Sequence, residues 1–200
     1  MKKNNIGHLR KSYDKQELND NLEHNSPFEL FKNWFDQASN DKKIEEVNAM
    51  TLSTISMDGF PRSRIVLLKE FSLDGFIFYT NYNSIKGRSI SIDSKVCLNF
   101  FWPSLEKQII LKGNAIKISS KKSDEYFNSR PEGSRISAIV SPQSEKILSR
   151  DFLEDKLLSY ENKRDKLKRP NYWGGYIVKV ISFEFWQGRP NRLHDRDRKS

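Results

Sequence analysis

The chain has 200 residues, 36% of them hydrophobic and 12% aromatic, with a formal charge of +9. That length suits one domain, and a small aromatic-rich core is often completed by a second copy, so a homodimer is expected. The single cysteine, Cys97, excludes an internal disulfide framework and fits a reducing cytoplasmic setting, and no stretch reaches the ~18 apolar residues of a membrane span.

Residues 1–25 are polar, lack an apolar run that could act as a signal peptide, and are expected to be a mobile N-terminal segment. Ser26-Pro27-Phe28-Glu29 then reads as a helix start, with Ser26 as N-cap, Pro27 at the first helical position and Glu29 closing a capping box. Leu30, Phe31, Trp34, Phe35 and Ala38 follow at helical spacing and form one core-facing stripe. From Ala49 the pattern turns to strands: Ala49 to Ser56, a turn at Met57 to Pro61, Ser63 to Phe71, and Phe76 to Thr80 after Asp74-Gly75. A short helix is expected from Ser84 to Ile92, then strands Val96 to Trp102 and Gln108 to Ile118. Lys121 to Ser129 reads as a helix ending before Pro131, and Ser144 to Lys168 as a longer amphipathic one. Gly175 to Trp186 is the last expected strand. Short Gly/Asp turns between neighbouring strands imply antiparallel hairpins, hence a mainly β barrel or sandwich with peripheral helices. No repeat or linker divides residues 26–200, which are expected to form a single domain.

The basic residues are scattered, and the richest run, Lys163 to Arg169, is interrupted by Asp165. Zinc-finger spacing and the aromatic motif of single-strand RNA binders are both missing, so small anions fit the charge better than nucleic acid. Three stretches could bind them. Arg62, Arg64 and Lys69 flank an apolar strand near Tyr79, Thr80 and Lys86. They read either as edge charges or, with a helix start beside them, as a phosphate cradle. Tyr126 to Ser134 joins a phenol, the Arg130 guanidinium and hydroxyls after a helix, which suits a phosphate dianion or simply caps the helix with a solvated arginine. Arg192, His194 and Arg196 would share one face if extended, beside Trp186, and otherwise belong to a solvated tail. Cys97 reads as a buried small residue, and His8 and His24 show no metal-ligand spacing.

Taken together, Arg64 to Lys69, Phe78 to Asn81, Tyr126 to Pro131, Ser141 to Ser144, Tyr172 to Gly175, and Glu184 to Gly188 with Arg192 to Arg196 resemble the signature runs of the pyridoxine/pyridoxamine 5′-phosphate oxidase family, in the family's order. The likeness runs from Leu9 to Arg196. It implies an antiparallel FMN-binding split β-barrel and a homodimer with two FMN sites at its interface. The implied reaction turns pyridoxamine or pyridoxine 5′-phosphate into pyridoxal 5′-phosphate by way of dioxygen, releasing hydrogen peroxide. The FMN contacts it implies are Arg64, Ile65, Val66, Leu67, Leu68, Lys69, Tyr79, Thr80, Lys86, Gln108, Gln143, Ser144, Trp186 and Arg196. Lys69, Tyr126, Arg130 and Ser134 would hold the substrate phosphate. Arg192, Leu193 and His194 would meet the pyridine ring, with Arg192 and His194 in the catalytic role, and Arg10, Lys11, Ser12 and Tyr13 would close over it. No metal, membrane or nucleic acid is implied.

Two departures stand out. Ile85-Lys86 occupies the place of the family's Arg-Lys pair, and the chain ends at Ser200, where family chains run on through a final strand. The second predicts a ring-binding site held more loosely than the phosphate clamp. A split-barrel protein that binds FMN without oxidase activity, or a phosphate- or nucleic-acid-binding module, are the competing readings.

Overall fold

The computed structural model describes residues 5–18, 26–147, 149–161 and 167–200, so the expected mobile segment, residues 1–25, lies partly outside the described residues. Helix α1 (Pro27–Asn40) starts as its sequence dictates: the Ser26 side chain accepts from the Glu29 amide at 3.2 Å, and the Glu29 carboxylate accepts from the Ser26 amide at 3.3 Å. Eight strands form one sheet: β1 (Ala49–Ile55), β2 (Pro61–Leu67), β3 (Glu70–Ser72), β4 (Gly75–Asn81), β5 (Lys95–Trp102), β6 (Lys107–Lys117), β7 (Trp173–Gln187) and β8 (Asp195–Lys199). Their order is β2-β1-β5-β6-β7-β4-β3, with β8 also paired to β7. The other helices are α2 (Ile85–Ile92), α3 (Ser120–Ser129), α4 (Glu132–Val140) and α5 (Arg150–Glu161).

The chain forms two compact units, and β5, β6 and β7 each contribute to both. The first comprises Met1–Val47, Asn99–Leu111 and Ser182–Ser200. Here the α1 stripe is buried: Phe31 meets Phe100 edge-on at 5.4 Å and Trp34 meets Phe185 at 5.4 Å. Each such ring contributes roughly 1.5–3 kcal/mol of burial. The second unit comprises Asn48–Leu98 and Lys112–Ile181. Its β1 alternates buried and part-exposed residues, whereas β4 is buried on both faces and runs antiparallel to β7 from Phe76↔Val178 to Asn81↔Trp173.

Four expectations are corrected. Ser63 to Phe71 is two strands, because the chain changes partner: the Leu68 amide donates to Asn48, beside β1, and the Lys69 amide donates to Ile77 of β4, both at 2.8 Å. The helix expected from Ser144 to Lys168 covers only Arg150–Glu161 among the described residues, since Ser144 is left-handed at φ 74°. Helix α4, where no element was expected, forms as well and buries Ile136 and Val140 against Leu167. Finally, Arg192, His194 and Arg196 do not share one strand. Asn191 and Arg192 turn the chain at φ 55° and 63°, and only Arg196 lies in β8. That strand pairs with β7 from Phe183↔Lys199 to Gln187↔Asp195, which gives the C-terminal residues the backbone support the sequence reading denied them.

Candidate functional site

In the second unit, a cavity of about 430 Å³ opens where β2 ends and β4, α2, α3 and α4 converge. Ile65, Val66 and Leu67 line it from β2, Lys69 from the break after it, and Tyr79 and Thr80 from β4. Lys86 enters from the first turn of α2, whose N-cap Ser84 accepts from the Gly87 amide at 3.3 Å. Tyr126 and Arg130 come from the end of α3, Ser134 from α4, and Gln143 from the segment after it. Neither Asp nor Glu is among these lining residues.

The cavity has two cationic poles. At one, the Lys86 ammonium donates to the Gln143 side-chain oxygen at 2.9 Å, and the Thr80 hydroxyl donates to the same oxygen at 3.2 Å. Burial, followed by the charge of Arg64, lowers the Lys86 pKa to about 8. At the other, the Arg130 guanidinium lies 4.7 Å over the Trp173 ring, and its Nη1 is buried without a hydrogen-bond partner among the described residues. Burial also lowers the Arg130 pKa, although Tyr126 opposes the shift, and an arginine stays charged throughout. Tyr79 and Tyr126 stack at 3.7 Å, and Trp173, under Arg130, lies 5.6 Å from Tyr79. Burial, then Glu70, pushes the Tyr79 phenol up to about 12, so it remains neutral and offers a hydrogen bond rather than a base.

Three predicted FMN contacts of this unit are not among the residues that line the cavity. Arg64 donates through Nη1 to the Leu52 carbonyl at 3.0 Å and the Thr54 hydroxyl at 2.8 Å, clamping β2 to β1. Leu68 is a core residue, and the Ser144 hydroxyl accepts from the Ile85 amide at 3.3 Å. Sequence reasoning missed Pro131 and Trp173 as lining residues. The signal for Trp173 was the Gly174-Gly175 pair beside it: a Cβ at Gly174 would sit 2.2 Å from the Tyr82 hydroxyl, and one at Gly175 would sit 2.9 Å from the Tyr79 ring.

The first unit holds the remaining predicted residues. Arg10, Lys11, Ser12, Tyr13, Arg192 and His194 line a cavity of about 550 Å³ together with Arg189. His194 Nδ1 accepts from the Arg189 amide at 3.0 Å, which leaves Nε2 to carry the proton of a neutral ring. Its imidazole lies 4.7 Å from Trp186. Gln108 donates to Asn99 at 2.9 Å, Leu193 is 77% exposed, and Arg196 pairs with Glu184 at 3.4 Å.

Residues 37–163 match the model of the family described as pyridoxamine 5′-phosphate oxidase. The chain belongs to that family. Residues 173–198 match the pyridoxine 5′-phosphate oxidase C-terminal dimerisation region, in keeping with a homodimer. Among relatives of this oxidase family, the chain is 55% identical to pyridoxine/pyridoxamine 5′-phosphate oxidase of Flavobacterium psychrophilum, over 96% of this chain and 91% of the relative. It is similar to the solved structure of PhzG from Burkholderia lata 383 in complex with tetrahydrophenazine-1-carboxylic acid. There the TM-score is 0.84 at 26% identity, with 91% of each chain covered. A pyridoxamine 5′-phosphate oxidase-related, FMN binding protein from Nostoc punctiforme shares the fold at a TM-score of 0.66 and 13% identity, covering 88% of this chain and 98% of that one. The oxidase family's split-barrel fold, expected from the signature runs, is thus the fold of this chain. None of the described helices is long and apolar enough to cross a membrane.

Proposed function

We propose that this chain oxidises pyridoxamine 5′-phosphate and pyridoxine 5′-phosphate to pyridoxal 5′-phosphate, with FMN as its redox group and dioxygen as acceptor, releasing hydrogen peroxide. The observation that carries the reading is a carboxylate-free cavity lined by cationic side chains and stacked aromatic rings. The donor set suits two phosphates. Lys86 at the start of α2 and the Thr80 hydroxyl of β4 suit the FMN phosphate, and the backbone of Ile65 to Leu67 on the edge strand offers hydrogen-bonding groups to a flat ring. Arg130, with a buried Nη1 unpaired among the described residues, and Tyr126, Ser134 and Lys69 suit the substrate phosphate.

FMN held there would supply the two-electron redox chemistry that the reaction needs. The chain's own residues bind and orient. Arg130 would hold the phosphate end of the substrate, while Arg192 and the Nε2–H of His194 would meet the pyridine ring. Tyr79, kept as a phenol, does not act as a base near neutrality. The reading includes residues 26–200 acting as one FMN-binding domain, Arg10 to Tyr13 closing over the substrate, and a cytoplasmic homodimer. Its two FMN sites lie at the interface, where Gln108, Trp186 and Arg196 would join them. The purified protein is expected to be yellow, to bleach with pyridoxamine 5′-phosphate in the absence of oxygen, and to form peroxide on aeration. A colourless protein unable to take up FMN would exclude the reading, and a yellow one that never bleaches would leave a flavin protein without this activity.

The depressed Lys86 pKa sets a pH dependence. Below about pH 8 the ammonium is charged before FMN arrives. Above it, binding must take up a proton, because a phosphate raises the pKa of its partner, so affinity falls by up to about tenfold per pH unit. Titrating apo-protein with FMN from pH 6.5 to 9.5 is expected to show constant affinity up to about pH 8 and a decline beyond it, with the slope lost in Lys86→Met. A flat profile in the unmodified protein would remove Lys86 from the phosphate.

A further inference from the structure

We propose that Glu106 is a positioning residue, a buried clasp that fastens residues 11–15 so that Tyr13 stays seated on Trp186 and His194. The inference rests on the reading above only for the claim that His194 meets the substrate.

Glu106 sits in the turn between β5 and β6, is fully buried, and adopts a left-handed backbone at φ 57°. A non-glycine residue there is uncommon. Its own carbonyl accepts from the Gly188 amide at 2.8 Å and from the Gln187 side chain at 3.2 Å, which locks the turn to the end of β7. Its carboxylate serves a different partner. Oε2 accepts from the amides of Asp14 and Lys15 at 3.0 and 3.2 Å; Oε1 has no hydrogen bond among the described residues and is compensated by the ion pair with the Lys11 ammonium at 3.0 Å. The Lys15 ammonium donates to the Ser104 carbonyl in the same turn.

Between these anchors, the Tyr13 ring meets Trp186 edge-on, with 5.7 Å between centroids and 87° between planes, and meets His194 at 5.7 Å. Gly188 makes room for it, since a Cβ there would come 2.8 Å from Tyr13 Cγ. A buried carboxylate is costly unless its oxygens are satisfied. All three of these carboxylate contacts come from residues 11–15, so the strap and the buried charge stand or fall together. Burial alone would raise the carboxyl pKa, but Lys11 and the two amides outweigh it and hold the group below its ordinary value. The strap also lines the cavity that holds Arg192 and His194, so its closure would govern how long a ring stays there.

The test compares the unmodified holoprotein with Glu106→Ala and Glu106→Gln. In Glu106→Ala, hydrogen exchange at the Asp14 and Lys15 amides and trypsin cleavage after Lys11 and Lys15 are expected to quicken by about tenfold or more, the loss of one charge-assisted hydrogen bond. KM for pyridoxamine 5′-phosphate should rise by a similar factor with kcat nearly constant and FMN content intact. Glu106→Gln, which keeps one accepting oxygen, should recover part of both effects. If Glu106→Ala does not fold, Lys11→Met carries the exchange measurement, because its side chain is 56% exposed and it leaves the turn untouched. Unchanged exchange and cleavage in these variants would overturn the clasp, as would a fall in kcat with KM unmoved. Both strap readouts need no substrate, so an unmodified protein that fails to oxidise would count against the proposed function and leave the clasp standing.

Discussion

Arg130→Ala is expected to raise KM for pyridoxamine 5′-phosphate by about 10- to 150-fold while FMN content stays near that of the unmodified protein. The range corresponds to the roughly 1.5–3 kcal/mol of a hydrogen bond to a charged group. Arg130 is the C-cap of α3, and Pro131 follows it directly, so its backbone is fixed and extended. The guanidinium is also held flat over Trp173 at 4.7 Å. Its Nη1 has lost water and found no acceptor among the described residues, an arrangement whose cost an incoming phosphate oxygen would relieve. Lysine would keep the charge but lose the planar fork and the stacking surface, so Arg130→Lys should recover only part of the loss. FMN should be little affected, because Lys86, Gln143 and Thr80 hold one another at the other pole without Arg130. Steady-state kinetics alongside the flavin-to-protein absorbance ratio separates the two quantities. A variant that lost its flavin while keeping a normal KM would mean that the α3–α4 loop serves the cofactor.

Local signals in the sequence were read correctly where they act alone. Ser26-Pro27 with Glu29 fixes the start of α1 within a few residues, and alternation fixes β1. The β2–β3 break was not legible, since Arg64 to Phe71 is uniformly strand-like and the break comes from a change of hydrogen-bond partner. Helix α4 opens on Pro131 and includes Gly133, both signs of a loop, and forms because Ile136 and Val140 bury together against Leu167. The β8 segment, Asp195 to Lys199, has no apolar residue at all, so nothing in its pattern announces a strand. It is held by the ladder to β7, and Glu184 pairs with both Arg196 and Arg198. The candidate site was legible mainly through its ordered signature runs. Geometry was needed to see that Arg64 clamps β2 to β1 and to find Trp173. Glu106 gave no signal, because its partners lie some ninety residues earlier in the chain.

Gly87→Ala should destabilise the protein by about 3 kcal/mol or more, against the ordinary preference of helices for alanine. Gly87 lies in the first turn of α2, where that exchange on an exposed face would gain about 1 kcal/mol. Here a Cβ would fall 2.2 Å from the Tyr82 carbonyl oxygen and 2.5 Å from its carbonyl carbon. Both are backbone atoms, so no rotamer change can relieve the overlap, and α2 must shift or Tyr82 must move. Tyr82 is itself fixed: its amide donates to the Tyr172 carbonyl, and its hydroxyl donates to the Gly175 carbonyl at 3.2 Å. The helix therefore gives way, carrying Lys86 and the Ser84 cap with it. A loss of that size lowers the melting temperature by roughly 6–12 °C for a chain of this length, read on apo-protein so that ligand binding does not mask it. FMN affinity should fall as well, since displacement of α2 moves the Lys86 pole of the cavity. An apo-protein that melts at or above the unmodified temperature would show that α2 and Tyr82 are not in close contact, and would remove the geometric basis for placing Lys86 on the FMN phosphate.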